Sequence, residues 1–242
     1  MDAKLRSCIS ELIGTYLVVL IGAGTLCTTY LADTATGARV LAVAMAEGFS
    51  LAAVVTMTSH LSAACCNPAI TLSLWVTKQL DLKRALMIAA SQLGGAFLAG
   101  MSLRLSFSDA ILNDARLGTP HLGAFGATVP SLAVLVTGVT FEMVFTFLVT
   151  LAVYASIIDP RCIKLGGLYV GLAQTAVILF GFHLTGGVAN PARWFGPALW
   201  QLSVGTIENP FADHAVYWAG PVIGALGGCT IYSTVLQPSP KP

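Results

Sequence analysis

Asn-Pro-Ala occurs twice, at Asn67 to Ala69 and at Asn190 to Ala192, in corresponding places of the two halves of a very apolar chain. Asn is a favoured helix N-cap and Pro suits the first helical position, so each triplet reads as the start of a helix in the middle of hydrophobic sequence. The chemistry open to such a pair is hydrogen bonding rather than bond making, because a capping amide still has N–H groups to donate to a passing water oxygen. Three residues after Asn190 stands Arg193, whereas three residues after Asn67 stands Ile70. Only the second half-helix therefore adds a fixed cation and a fork of donors.

The elements that must position these groups lie in a membrane. The chain has 242 residues, 56% of them apolar and 10% charged, with a mean hydropathy of +0.81, too apolar for a soluble domain of this size. Runs long enough to cross a hydrocarbon core, which takes about 20 residues, fall near residues 9–31, 40–60, 84–106, 131–157, 165–183 and 214–236. The first run is too long for a cleaved signal peptide and is expected to be a retained helix. Lys4, Arg6, Lys78, Lys83, Arg84, Arg161, Lys164 and Lys241 fall on one side of a six-span arrangement, against chiefly Arg39 and Arg116 on the other, with Arg104 near a helix end. Both termini are thus expected on the cytoplasmic side, and the cell membrane is the expected location. A net charge of +1 offers no basic patch for nucleic acid. The six cysteines (Cys8, Cys27, Cys65, Cys66, Cys162, Cys229) show no metal-ligand or disulfide spacing and read as small packing residues.

The halves repeat beyond the triplets. Glu11, Thr15 and Leu17 open the first span much as Glu142, Thr146 and Leu148 open the fourth, and Gln92 to Ala96 echoes Pro221 to Ala225. The repeats cover roughly residues 8–107 and 131–236 of a single membrane domain, residues 1–242. Each has three spans, an odd number, so the second enters the membrane from the opposite face and the two half-helices meet head to head. Their non-helical lead-ins are tolerated at membrane depth only where protein buries them or water lines them, which implies a polar pathway. Each half-helix points a positive dipole end, equivalent to about half a charge, at the centre. Cations, a hydrated proton included, meet a barrier there, while a water oriented by Asn67 and Asn190 does not donate onward along a proton wire.

The chain resembles the aquaporins, the major intrinsic proteins, over essentially its whole length. The resemblance rests on Glu11 with Thr15, the stretch Ser62 to Ala69, Glu142 with Thr146, Asn190-Pro-Ala-Arg193-Trp-Phe-Gly-Pro-Ala198, and Tyr217-Trp218-Ala-Gly-Pro221, in that order. It implies an all-α membrane fold of six transmembrane helices plus two re-entrant half-helices in an inverted repeat, assembled as a homotetramer with a pore in each protomer. It implies a passive channel in the lipid bilayer for water, extending to small neutral solutes such as ammonia, urea or hydrogen peroxide. No cofactor, metal or catalytic residue is expected. Arg193 matches the arginine of the family's selectivity filter, and counting back from the two asparagines puts the other positions at Glu47, Ile178 and Gly187. Water-selective members usually have an aromatic ring at the first position and often histidine at the second, so the filter here is expected to be wider and differently charged. Ile with Gly resembles plant vacuolar members, which have histidine where this chain has Glu47.

Glu47 is read as facing Arg193 across the pore, the alternative being a place against backbone amides behind the lining. Glu11 and Glu142 are expected to brace the loops before Asn67 and Asn190 by accepting from their N–H groups. His60 and His183, each seven residues before its asparagine, are expected to hold structural hydrogen bonds. Cys65 and Cys66 stand where the family usually has histidine and an aliphatic residue, and read as packing groups or as thiols beside the pore. Trp194 takes the place of a small or acidic residue and would restore bulk if it leaned toward the vestibule. Ala198, Tyr217 and Trp218 favour the water-type members over a glycerol or small-polyol facilitator, which is the alternative. An inverted-repeat secondary transporter is a further one, but no coupling-ion cage is evident. Glycines at 220, 224 and 228, and Gly167, Gly171 and Thr175, mark faces for close helix packing. Ser106 to Pro130 reads as the extracellular connection between halves, and Gln237 to Pro242 as a disordered tail.

Overall fold

The computed structural model describes residues 2–63, 65–123, 131–161, 165–205 and 209–237. Cys162, Lys164 and Lys241, the end of the 106–130 connection and nearly all of the Pro-rich tail lie outside the described residues. Among the described residues nine α-helices run in chain order: α1 (Ala3–Leu31), α2 (Thr36–Thr58), α3 (Pro68–Val76), α4 (Leu82–Ser106), α5 (Asp109–Asp114), α6 (Leu132–Val153), α7 (Gly166–Gly181), α8 (Pro191–Gln201) and α9 (His214–Ile231). A wider final turn extends α6 over Tyr154–Ile158 and α9 over Tyr232–Leu236. Among the described residues there is no strand.

Five of these helices, α1, α2, α4, α6 and α9 with the last two counted through their final turns, are long and apolar enough to cross a membrane. The sixth span, expected over 165–183, is the 16-residue apolar helix α7, which at 1.5 Å per residue is about 24 Å long. The half-helices α3 and α8 are 9 and 11 residues long, too short to cross. Their order repeats: α1, α2, α3, α4 in one half and α6, α7, α8, α9 in the other. Large apolar side chains such as Leu41, Val136, Leu148, Leu168 and Phe180 are exposed on the outside of the bundle. That is the surface of an integral multi-pass membrane protein, where the surroundings are hydrocarbon rather than water.

Small residues let the helices touch. A Cβ on Gly224 of α9 would run into the Met143 carbonyl of α6 and lie 3.0 Å from the Phe147 nitrogen, and one on Gly95 of α4 would meet the Leu12 carbonyl of α1. These are matching contacts in the two halves. The seam between halves is equally close, since a Cβ on Gly171 of α7 would meet Gly48 O and approach Ala52 Cβ of α2 to 2.5 Å. Lipid supplies no hydrophobic drive between helices, so such backbone approach is what makes their packing favourable. At the opposite end from Arg193, Tyr232 donates to Asp159 at 2.8 Å, Thr77 and Tyr154 share a 2.7 Å hydrogen bond, and Arg84 donates to Ser7 at 3.3 Å. These bonds join α3 and α9 to the end of α6, and α4 to α1.

Candidate pore at the meeting of two half-helices

Each asparagine does two jobs. The Asn67 Oδ1 accepts from Ala69 N at 3.0 Å and the Asn190 Oδ1 from Ala192 N at 3.0 Å, so both cap their helices with Pro in the first turn. Their amide nitrogens reach across: Asn67 Nδ2 donates to Ala189 O at 2.7 Å and Asn190 Nδ2 to Cys66 O at 2.9 Å. An amide nitrogen has two hydrogens, and the second of each finds no partner among the described residues. The reciprocal pair locks the two N-termini against one another with one donor spare on each side.

The backbone leading into them is strained. Cys65, Cys66 and Ala189 have φ of 56°, 59° and 50°, the left-handed region that costs an L-residue energy unless its surroundings hold it there. Two buried glutamates do the holding. Glu11 Oε2 accepts from Cys66 N at 2.9 Å and from Gln92 Nε2 at 2.8 Å, while Gln92 Oε1 takes the Thr71 hydroxyl at 3.0 Å. In the other half Glu142 accepts from Val188 N at 3.0 Å, Ala189 N at 2.7 Å and Thr185 Oγ1 at 2.6 Å. Tyr217 closes that network by donating to Thr185 O at 2.9 Å. A carboxylate inside the membrane needs such donors, and the unwound backbone needs such acceptors.

Beyond Asn190, Arg193 and Glu47 form a buried ion pair, with Nε to Oε2 at 2.9 Å and side-chain exposures of 5% and 4%. Arg193 Nη1 also donates to Gly118 O at 2.9 Å, across 75 residues of sequence. A Cβ on Gly22 of α1 would run into the Glu47 carboxylate, so the missing side chain there is what admits it. Above the pair lies a cavity of about 50 Å³ whose walls include Leu26, Val43, Thr119, His121, Phe182 and Val188. The Thr119 hydroxyl in its wall is buried and has no partner among the described residues. His121 is held down to about 4 by burial, with the positive charge of Arg116 adding to it, so this imidazole is neutral at ordinary pH.

Of the other two filter positions, Ile178 packs with Val43 and Ala44 of α2. Gly187 has φ of 64°, and its missing Cβ points not into open space but at α7, onto Val177 O and to 2.8 Å from Ile178 Cα. The glycine therefore answers to backbone approach rather than leaving room in the passage. Trp194 leans away from the cavity: its ring stacks on Tyr217 at 5.6 Å and meets the edge of Phe211 at 5.2 Å. The Cys66 sulfur lies toward α1, where a Cβ on Gly14 would come within 2.7 Å of it. The Cys65 thiol donates to Ala63 O at 3.2 Å. Both are buried free thiols. His60 and His183 are exposed and carry no side-chain hydrogen bond among the described residues, contrary to the structural role expected of them.

Four residues of the site were not singled out from sequence. Gln174 of α7 donates through Nε2 to Glu47 Oε1 at 3.3 Å. A glutamine in an otherwise apolar helix, four residues before Ile178 and hence on its face, was the available signal. Gly118, Thr119 and His121 come from the connection between halves, and nothing in their local spacing announces a return to the pore.

Comparison with known proteins accords with this geometry. Residues 2–232 match the major intrinsic protein family. The chain is 40% identical to aquaporin TIP4-4 of Zea mays over 226 residues, 90% of this chain and 82% of that one. It is 33% identical to the lens fiber major intrinsic protein of Lithobates pipiens over 235 residues, 96% and 82% of the two chains. An X-ray structure of the aquaglyceroporin from Plasmodium falciparum superposes with a TM-score of 0.80 at 20% identity, covering 96% of this chain and 97% of that one, and so shares the fold. With a family match along nearly its full length and relatives at this level of identity, the chain belongs to the major intrinsic protein family.

Proposed function

We propose that this protein is a passive transmembrane channel for water, and for small uncharged solutes that fit beside it, which excludes protons and ions at the paired half-helices. The observation that carries the reading is the reciprocal hydrogen bonding of Asn67 and Asn190, which leaves one amide donor on each facing the meeting point of two helix N-termini. Water arriving there accepts from both donors and cannot pass a proton through itself, while the two dipoles oppose a cation. Arg193 and Glu47 are the polar gate above it. The orphan Thr119 hydroxyl is a place for a water to bind on entry. A cavity of about 50 Å³ suits a few waters, at roughly 10–15 Å³ each, better than a polyol chain, so a glycerol facilitator is the weaker reading. The termini belong on the cytoplasmic side and the working unit is a homotetramer in the cell membrane.

Stopped-flow light scattering of proteoliposomes tests this directly. An impermeant osmolyte should cause fast shrinkage with a low activation energy, without dissipating a proton gradient. Shrinkage no faster than that of empty liposomes would overturn the reading.

A further inference from the structure

Gln174 is 3% exposed and its side-chain nitrogen faces three acceptors at once: Glu47 Oε1 at 3.3 Å, Val188 O at 3.2 Å and Gly187 O at 3.4 Å. Two hydrogens cannot satisfy three acceptors, and all three distances lie at or beyond the long end for N–H to O bonds. The amide is shared among them rather than committed to one. Every acceptor belongs to the gate. Glu47 gives its other oxygen to Arg193, and Gly187 and Val188 are the residues that lead into Ala189 and Asn190.

The Glu47 carboxylate starts on α2, lies against Gly22 of α1, bonds α8 through Arg193 and bonds α7 through Gln174. It thus spans the space these four helices enclose. Without Gln174 the carboxylate would be held on one side only, and Glu47 Oε1 and two backbone carbonyls would turn their lone pairs to whatever occupies the passage.

We infer that Gln174 is a specificity-determining positioning residue: its amide holds Glu47 across the passage and covers the Gly187 and Val188 carbonyls, so that a solute rich in N–H donors must displace it to enter. This rests on the channel reading above and adds to it the residue that sets the solute range. Water, small and able both to donate and accept, slips past an amide whose bonds are already long. Urea and formamide need several acceptors at once and find them occupied. The side chain acts as a built-in competitor, of the same chemical class as the solutes it holds back.

The test compares the full-length wild type with Gln174→Leu and Gln174→Met in proteoliposomes, reading the urea-to-water and formamide-to-water permeability ratios. Leu and Met keep much of the bulk and lose the donor, so a change in ratio reports hydrogen bonding rather than space. Both ratios should rise at least threefold over the wild type. Because Gln174 acts through Glu47, the rise should be smaller when Gln174→Leu is made on a Glu47→Gln background than on the wild type, a coupling that independent sites do not show. If either variant reconstitutes with ratios unchanged, or if the two substitutions multiply independently, the inference falls. If the wild type itself conducts no water, the channel reading falls instead, and the two failures are told apart by that control.

Discussion

At the scale of single residues, the gate shows how far a side chain's role depends on its Cβ direction. Gly187 reads from sequence as space in a filter, because the position it matches lines the passage in relatives that carry a side chain there. Its φ of 64° turns the missing Cβ into the backbone of α7 instead. Gly187→Ala should therefore cost stability rather than narrow the pore. The left-handed backbone alone costs roughly 1–2 kcal/mol for an L-residue, and the collision with Val177 O adds to it. The expected result is a thermal midpoint in detergent lowered by at least several degrees, with the permeability of whatever protein reconstitutes keeping the wild-type solute pattern. An unshifted midpoint with reduced water flux would restore the lumen-facing reading. Asn67, Asn190 and Arg193 were legible because their chemistry follows from residue type and order: a cap, a first-turn proline and a cation one turn in. The pairing of Glu47 with Arg193 was legible because a buried arginine needs a counter-charge. Gln174 was not, since a neutral amide creates no such demand and the acceptors it meets come from two other segments.

At the scale of elements, the six spans were visible because membrane thickness fixes a helix length that hydropathy reveals, and the inverted order because the count of spans per repeat is odd. What length and hydropathy do not show is how a strained lead-in is held. Glu11 and Glu142 occupy matching places and both hold a loop that leads into an asparagine. Glu142 takes the Val188 and Ala189 N–H groups and the Thr185 hydroxyl of its own loop, and Glu11 takes the Cys66 N–H and a glutamine on α4 that passes the support on to Thr71 of α3. Glu142→Leu leaves the buried Val188 and Ala189 N–H groups unbonded, at about 1–3 kcal/mol each. The thermal midpoint should fall accordingly, each kcal/mol corresponding to roughly 2–4 °C in a chain of this size. An unshifted midpoint would show that the loop does not depend on these bonds. The connection between α4 and α6 reads from sequence as an extracellular link between the halves. It also folds inward to give Arg193 an acceptor at Gly118, a contact that no local pattern in residues 106–130 encodes.

At the scale of the whole molecule, charge is balanced in an unusual way for a pore with a fixed arginine. The Arg193 cation is paired with a carboxylate at 2.9 Å, so the gate carries little net charge and the barrier to cations falls mainly on the two half-helix ends, each equivalent to about half a positive charge. Those ends work only because the two repeats meet head to head, held by the reciprocal asparagine bonds. Proton exclusion is then a property of the assembled halves, and the ion pair has the separate task of not undoing it. Removing the arginine alone would leave Glu47 as an uncompensated negative charge on the approach, which attracts cations and offsets the dipoles from one side. Arg193→Ala should therefore leak protons, seen as collapse of an imposed pH gradient followed with a dye trapped in proteoliposomes. Arg193→Ala combined with Glu47→Gln removes both charges and should return the leak most of the way to the wild-type rate while water flow stays high. If the double variant leaks as fast as the single one, the arginine charge itself, and not the meeting of the two halves, is what keeps protons out.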